Sequence, residues 1–361
     1  LADRLPKLDS VVFQSKLGSV GAKVRRLASN ARALADSVGA DPVACEAAAR
    51  ICKADLETLI VYEFPELQGE MGRWYALREG MERSVADAIR DHYRPQGADD
   101  RVPNDPVSAV VAVADRIDTL VGCFGIGLVP SGSADPFALR RAALGIIRIA
   151  LEGPIDIDLN TLVTRAQEAY SGDADLRPAD EVQAALDDFF RARMRAMLKG
   201  AYGGDVVDAC LGAWEGTSIR DLRTRIEAVS EVRIAPEFEA LAVAFKRAFN
   251  ITKESPRGSV DPALLEDGAE RELADRFTTV RDQIRGATEE RRYADALKLV
   301  AQELGAPIDR FFDEVFVMVD DSQVRDNRLR LLGEIADTVN GIAHLHQLGT
   351  RLQDRDPSLS V

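Results

Sequence analysis

The chain has 361 residues, 46% hydrophobic and 29% charged, which is ordinary globular composition with room for two or three cored domains. With 60 acidic against 46 basic side chains the net charge is −14 at pH 7, which argues against broad coating of nucleic acid. A local basic patch remains possible, because the Debye length is about 8 Å at physiological salt. No apolar run approaches the roughly 18 residues that span a bilayer. The start, Leu1-Ala2-Asp3-Arg4, has no basic n-region and no apolar h-region, so no membrane partner and a cytoplasmic location are expected. It also lacks an initiator Met, as a piece of a longer chain would.

Helical periodicity, punctuated by Pro and Gly, predicts helices near 19–37, 41–60, 79–93, 106–121, 135–152 and 159–170. It continues near 178–199, 204–213, 218–230, 236–252, 261–286, 290–304, 307–319 and 322–348. Strand signals are few, so the expected fold class is all-α, built of helical bundles. Gly153-Pro154 closes a first domain, 1–154. A helical linker or body region follows, 155–232, then a C-terminal bundle, 233–361, with a polar loop at Thr252–Asp261. In that bundle Pro307 reads as a helix start, and Asp320-Asp321-Ser322 as a break that caps the next helix. Leu329, Leu332, Ile335, Ala336, Val339, Ile342 and Ala343 then recur at threes and fours, which is an amphipathic face.

The candidate chemistry is sparse. Cys45, Cys52, Cys123 and Cys210 show no CxxC spacing, and Cys45 and Cys52 lie too far apart on one helix to bridge. All four read as reduced thiols. Gly122, Gly125, Gly127 and Gly132 follow no strand, and Asp135 at the next helix start would repel an anion, so they read as a structural turn. His344 and His346 are two apart, whereas a zinc pair on a helix wants i, i+4. No Ser-His-Asp order and no P-loop appears. Basic residues gather at Arg191, Arg193, Arg195 and Lys199, and again at Arg220, Arg223 and Arg225. Such groups either meet RNA or complement a helix dipole.

The literal string ADRIDTLVGCFGIGLVPSGSADPFALRR, residues 114–141, closely resembles the segment that marks the β subunit of bacterial heterotetrameric glycyl-tRNA synthetase. The likeness runs from KLDSVVFQSKLGSVGAK, residues 7–23, to the last helix, and corresponds to that subunit's C-terminal half. Within it, Ala49–Ile60 and Ala114-Asp115 resemble the HD phosphohydrolase superfamily. That family's His-Asp doublet falls on Ala54-Asp55 and its distant Asp on Asp115, and no His precedes residue 92. The first domain therefore reads as HD-like with a degenerate metal site, with His92 in DHYRP able to mimic a later histidine of the fold. FFDEVFVMVDDSQVRDNRLRLL, residues 311–332, resembles the anticodon-binding domain shared with arginyl-tRNA synthetases, as does FKRAFNI, residues 245–251.

The resemblance implies tRNA contacts at Arg140, Arg141, Lys246, Arg247, Asn250, Arg325, Asn327 and Arg328. Arg328 could instead pair with Asp320 or Asp321. Phe311, Phe312 and Phe316 could stack bases, but their helical spacing reads as core. The resemblance further implies tRNA(Gly) and a synthetase α subunit as partners in an α2β2 assembly, no catalytic residue in this chain, and no cofactor bound by it. ATP and Mg would serve the α subunit, which would attach glycine. The alternatives are a metal-dependent HD-type phosphohydrolase and a helical protein-binding adaptor.

Overall fold

Side-chain caps begin many of the helices. In the computed structural model, which describes residues 1–252 and 258–349, the fold is all-α with one short hairpin. The chain divides into two compact units. One comprises Leu1–Met194 with Gly216–Arg220, the other Arg195–Glu215 with the described residues from Asp221 onward.

In the first unit a 3-10 segment, Ala2–Ser10, leads into an antiparallel hairpin of Val12–Gln14 (β1) and Gly18–Ser19 (β2). Ser19 then caps Val20–Val38 (α1) by accepting from the amide of Ala22, and Gly39 ends it at φ 72°. Asp41 caps Pro42–Ile51 (α2). Short elements follow: a 3-10 turn Ala54–Glu57, then Leu59–Glu63 (α3), Glu70–Arg78 (α4) and Arg83–Asp91 (α5). Asp105 caps Pro106–Gly125 (α6) through the amides of Val107 and Ser108. The rest of the unit holds Leu139–Glu152 (α7), Leu159–Glu168 (α8) and the start of Ala179–Tyr202 (α9).

Helix α6 is the axis of this unit. It packs against α1, α5, α7 and α8, and Val110, Val113, Ile117, Leu120 and Val121 on it are fully buried. Each such side chain stabilises the fold by roughly 1.5–3 kcal/mol. Gly122 lies where α6 meets Tyr170, and a Cβ there would fall 2.2 Å from the phenol oxygen.

The second unit contains Gly204–Ala213 (α10), most of Ile219–Val232 (α11), Pro236–Thr252 (α12), Ala269–Glu289 (α13), Tyr293–Glu314 (α14) and Ser322–Asn340 (α15). Helices α13 and α14 form an antiparallel pair, and α12 packs on α14 and α15. Asp321 caps α15, and the whole apolar series from Leu329 to Ala343 is buried.

Several boundaries differ from the sequence reading. The segment 41–60 is two helices with a 3-10 turn between. Helix α4 was not expected. Helix α7 starts at Leu139 and not at Asp135, because Ala138 turns the backbone into the left-handed region at φ 52°. Pro307 does not start a helix: α14 runs through it, so 290–304 and 307–319 are one element. Helix α13 begins at Ala269 after a 3-10 turn at Pro262–Leu264, and α15 ends at Asn340. All four cysteines are free and buried, and burial pushes the thiols of Cys45, Cys52 and Cys210 up to about 12. Among the described residues, no helix is long and apolar enough to cross a membrane.

Candidate functional site

The first unit carries a line of buried charge along α6. Asp118 is fully buried and receives the Arg26 guanidinium at 2.7 Å, the Lys23 ammonium at 3.1 Å and the Tyr170 hydroxyl at 3.2 Å. One turn earlier, the Lys53 ammonium donates to Asp115 Oδ2 at 2.9 Å and to His92 Nε2 at 2.9 Å. His92 Nδ1 is thereby left to donate to the carbonyl of Ile89 at 2.7 Å. Lys23 adds an ion pair to Asp115 Oδ1 at 3.0 Å, without hydrogen-bond alignment.

The electrostatics follow from that crowding. Burial pulls the Lys53 ammonium down, but the adjacent Asp115 carboxylate more than offsets this and raises it. Burial acts to raise Asp115, and Lys23 with Lys53 hold it well below the usual carboxylate range. Burial, reinforced by the Lys53 charge, holds His92 well below its usual value and keeps it neutral.

This arrangement answers how a metal would fit. Lys53 already occupies Oδ2 of Asp115 and Nε2 of His92, and the Lys23 ammonium stands against Oδ1 of Asp115. The Asp55 carboxylate accepts from the amides of Gly69 at 2.6 Å and Gly72 at 3.1 Å, where it anchors the start of α4. Ala54 is buried and supplies no ligand. Among the described residues, no group of three or more His, Cys, Asp or Glu side chains converges as a metal would need. The donor set does not fit a resident divalent ion. The sequence reading singled out Asp55, Asp115 and His92 but missed Lys53, whose signal was a lysine directly before the altered doublet.

The Gly-rich turn and the start of α7 lie beside this cluster. Asp135 accepts from the amides of Leu139 at 2.7 Å and Arg140 at 3.0 Å, so the helix start carries its own anion. The Arg140 guanidinium donates to the carbonyl of Gly132 at 2.8 Å. Arg141 is exposed. It lines a cavity of about 250 Å³ with His92, Asp115, Arg116 and Thr119. Arg116 is spent on four backbone carbonyls, of His92, Tyr93, Pro95 and Ala112, and burial lowers it to about 10.

Most of the other basic residues are held within the protein. Arg191 pairs with Asp187, Arg195 with Asp208, Arg223 with Glu227 and Arg225 with Asp221. Arg193 donates to the Phe189 carbonyl, and Arg220 to those of Ala150 and Gly153. Lys199 is exposed.

In the second unit the named residues separate into two sets. Lys246, Arg247 and Asn250 are exposed on α12, with the Arg247 guanidinium 4.4 Å over the Phe312 ring. Arg325 is half-buried and donates to the Val319 carbonyl at 3.3 Å. Asn327 and Arg328 are interior. The Asn327 side chain exchanges hydrogen bonds with both backbone groups of Asp261, at 2.7 and 3.0 Å. Arg328 pairs with Glu270 at 2.9 Å and Glu266 at 2.7 Å, not with Asp320 or Asp321, and donates to the Phe316 carbonyl at 3.0 Å. Of the three phenylalanines read as core, Phe311 is buried, Phe312 half-buried and Phe316 exposed. His344 and His346 are half-buried in the turn after α15, where the His346 ring stacks on Phe249.

Residues 241–349, which hold this bundle, match the family model of the DALR anticodon binding domain. Residues 1–212 match the model of the glycyl-tRNA synthetase beta subunit. The chain is 44% identical over 351 residues to the glycine–tRNA ligase beta subunit of Desulforudis audaxviator, a match that covers 96% of this chain and 50% of that protein. It is 42% identical over 351 residues to the beta subunit of Janthinobacterium sp., covering 96% and 49%. It is 44% identical over 344 residues to that of Geobacter metallireducens, covering 95% and 50%. The chain belongs to the glycyl-tRNA synthetase beta subunit family, and it spans about half the length of the curated relatives it matches.

Proposed function

We propose that this chain is the tRNA-binding part of the β subunit of heterotetrameric glycine–tRNA ligase. In this reading it grips tRNA(Gly) in the cytoplasm, within an α2β2 assembly. The α subunit binds ATP and Mg and attaches glycine, and this chain binds no cofactor. The observation that carries the reading is the anticodon-binding domain of residues 241–349 joined to a β-subunit match over residues 1–212.

The RNA-facing groups are the cations that reach solvent. On α12 these are Lys246 and Arg247, with the amide of Asn250 beside them; Arg325, on α15 of the same bundle, is half-buried. In the first unit they are Arg141 and Arg140. Cations position phosphates and amides read base edges. Asn327 and Arg328 serve this surface from inside, by fixing the backbone beneath it. A phosphohydrolase is not favoured, since the Lys53 ammonium fills the space between Asp115 and His92.

The test is fluorescence anisotropy of labelled tRNA(Gly) against the pure chain, across a salt series, beside an aminoacylation assay with ATP and glycine. Salt-sensitive binding without charging is expected. Charging by this chain alone, or no binding at low salt, overturns the proposal.

A further inference from the structure

The connection between α14 and α15 presents its side chains in an unusual order. Phe316 is 75% exposed and Met318 56% exposed, while Val317 between them is 6% exposed. The strand-like alternation puts the two large apolar side chains on the outer side and anchors the loop through the small one. A phenylalanine and a methionine held in water would ordinarily fold back onto the core of the bundle, to which Phe311 and Leu329 on the flanking helices belong.

Two arginines one turn apart on α15 hold the loop in this form. Arg328 donates to the carbonyl of Phe316 at 3.0 Å, and Arg325 to that of Val319 at 3.3 Å. The first clamp is rigid, because Arg328 is itself fixed by Glu270, which is buried, and by Glu266. The loop is therefore held at the carbonyl between the two exposed side chains and again just after Met318.

The charges nearby favour an uncharged ligand face. Glu314 is engaged by Arg310, Asp321 caps α15, and Asp313 and Asp320 are exposed. Carboxylates beside the loop would repel a phosphate there. Arg247 lies over Phe312 on α14, which leaves a cation on the same bundle but not on the loop.

We propose that Phe316 and Met318 are the stacking platform for unpaired bases of the bound RNA, with Arg328 and Arg325 as the positioning residues that hold it out. This rests on the RNA-binding reading above. Aromatic faces bind bases with little regard to sequence, so the platform would supply grip and orientation.

The experiment measures affinity of the full chain for tRNA(Gly) and for its isolated anticodon stem-loop, at several salt concentrations. Phe316→Ala should weaken binding roughly 5- to 150-fold, the range for loss of one stacked base. Its slope of affinity against salt should stay the same, because no phosphate contact is removed. Phe316→Trp should restore binding and Phe316→Leu should not. Arg328→Gln should also weaken binding at unchanged salt slope, and should add nothing in the Phe316→Ala background. A changed slope, or additive losses, would make Arg328 a direct contact and overturn its positioning role. Wild-type binding with no loss in Phe316→Ala overturns the platform alone, including the outcome in which that variant instead impairs association with a protein subunit. Absence of wild-type binding overturns the RNA-binding reading and the platform with it.

Discussion

Replacing Lys53 with Met tests the account of the buried cluster most directly. The substitution keeps volume and removes the ammonium between Asp115 and His92. Breaking a buried pair by removing one partner costs about 3–5 kcal/mol, since the remaining charge is left in the interior. Asp115 retains Lys23 at 3.0 Å, so the loss should sit near 3 kcal/mol. The pH dependence is a second readout. His92 is held well below its usual value, chiefly by burial and then by Lys53. As pH falls below about 6.5, the unfolded chain takes a proton that folded His92 refuses, and stability drops by about 1.4 kcal/mol per pH unit. Asp115 contributes no slope there, because its lowered folded value makes its share complete above about pH 4. Without Lys53, His92 loses the second of the causes that hold it down, so the pH at which the slope levels off should move up while burial keeps its sign. Urea unfolding followed by far-UV circular dichroism reads the loss of helix. A loss under about 1 kcal/mol at pH 7.5, or a slope that levels off at the parent's pH, would refute the cluster as described.

Gly122→Ala should lower the melting temperature of the first unit despite the better helix propensity of alanine, because the added methyl meets Tyr170 at 2.2 Å and strains its bonds to Asp118. A loss of about 1–3 kcal/mol is expected from denaturant midpoints. Asp321→Ala removes the cap that accepts from Gln323 and Val324, and should cost the second unit about 1 kcal/mol in the same measurement. The thiols of Cys45, Cys52 and Cys210, raised to about 12 by burial, should resist a thiol reagent at pH 8 in the native chain and all react once it is unfolded.

The helices were legible where a cap and a run of large apolar residues coincide, as at Asp105 before α6 and Asp321 before α15. Helix α4 escaped because its buried face is made of Gly72 and Ala76, which give no hydrophobic period. Pro307 misled because a proline also marks a helix start. Here it lies inside α14, between Leu304 and Ile308, which are both buried. In the candidate site, the residues carried by motif were visible in the sequence, but their surroundings were not. Arg328 meets Glu270 from 58 positions away, and Lys53 meets Asp115 from 62. Such pairings follow from how helices stack, and local spacing carries no trace of them. Phe316 read as core because it stands at helical spacing after Phe312, yet α14 ends at Glu314, before that spacing can apply.

The ammonium of Lys53 is a counterion on a covalent tether. It does not exchange with the medium, competes with no other ion, and cannot be withdrawn by a chelator. Its stoichiometry is fixed at synthesis, one per chain, whatever the ionic supply. The buried Asp115 carboxylate needs a positive charge beside it to stay ionised, and the neutral imidazole of His92 shares the same ammonium. Here that need is met by the gene and not by the surroundings.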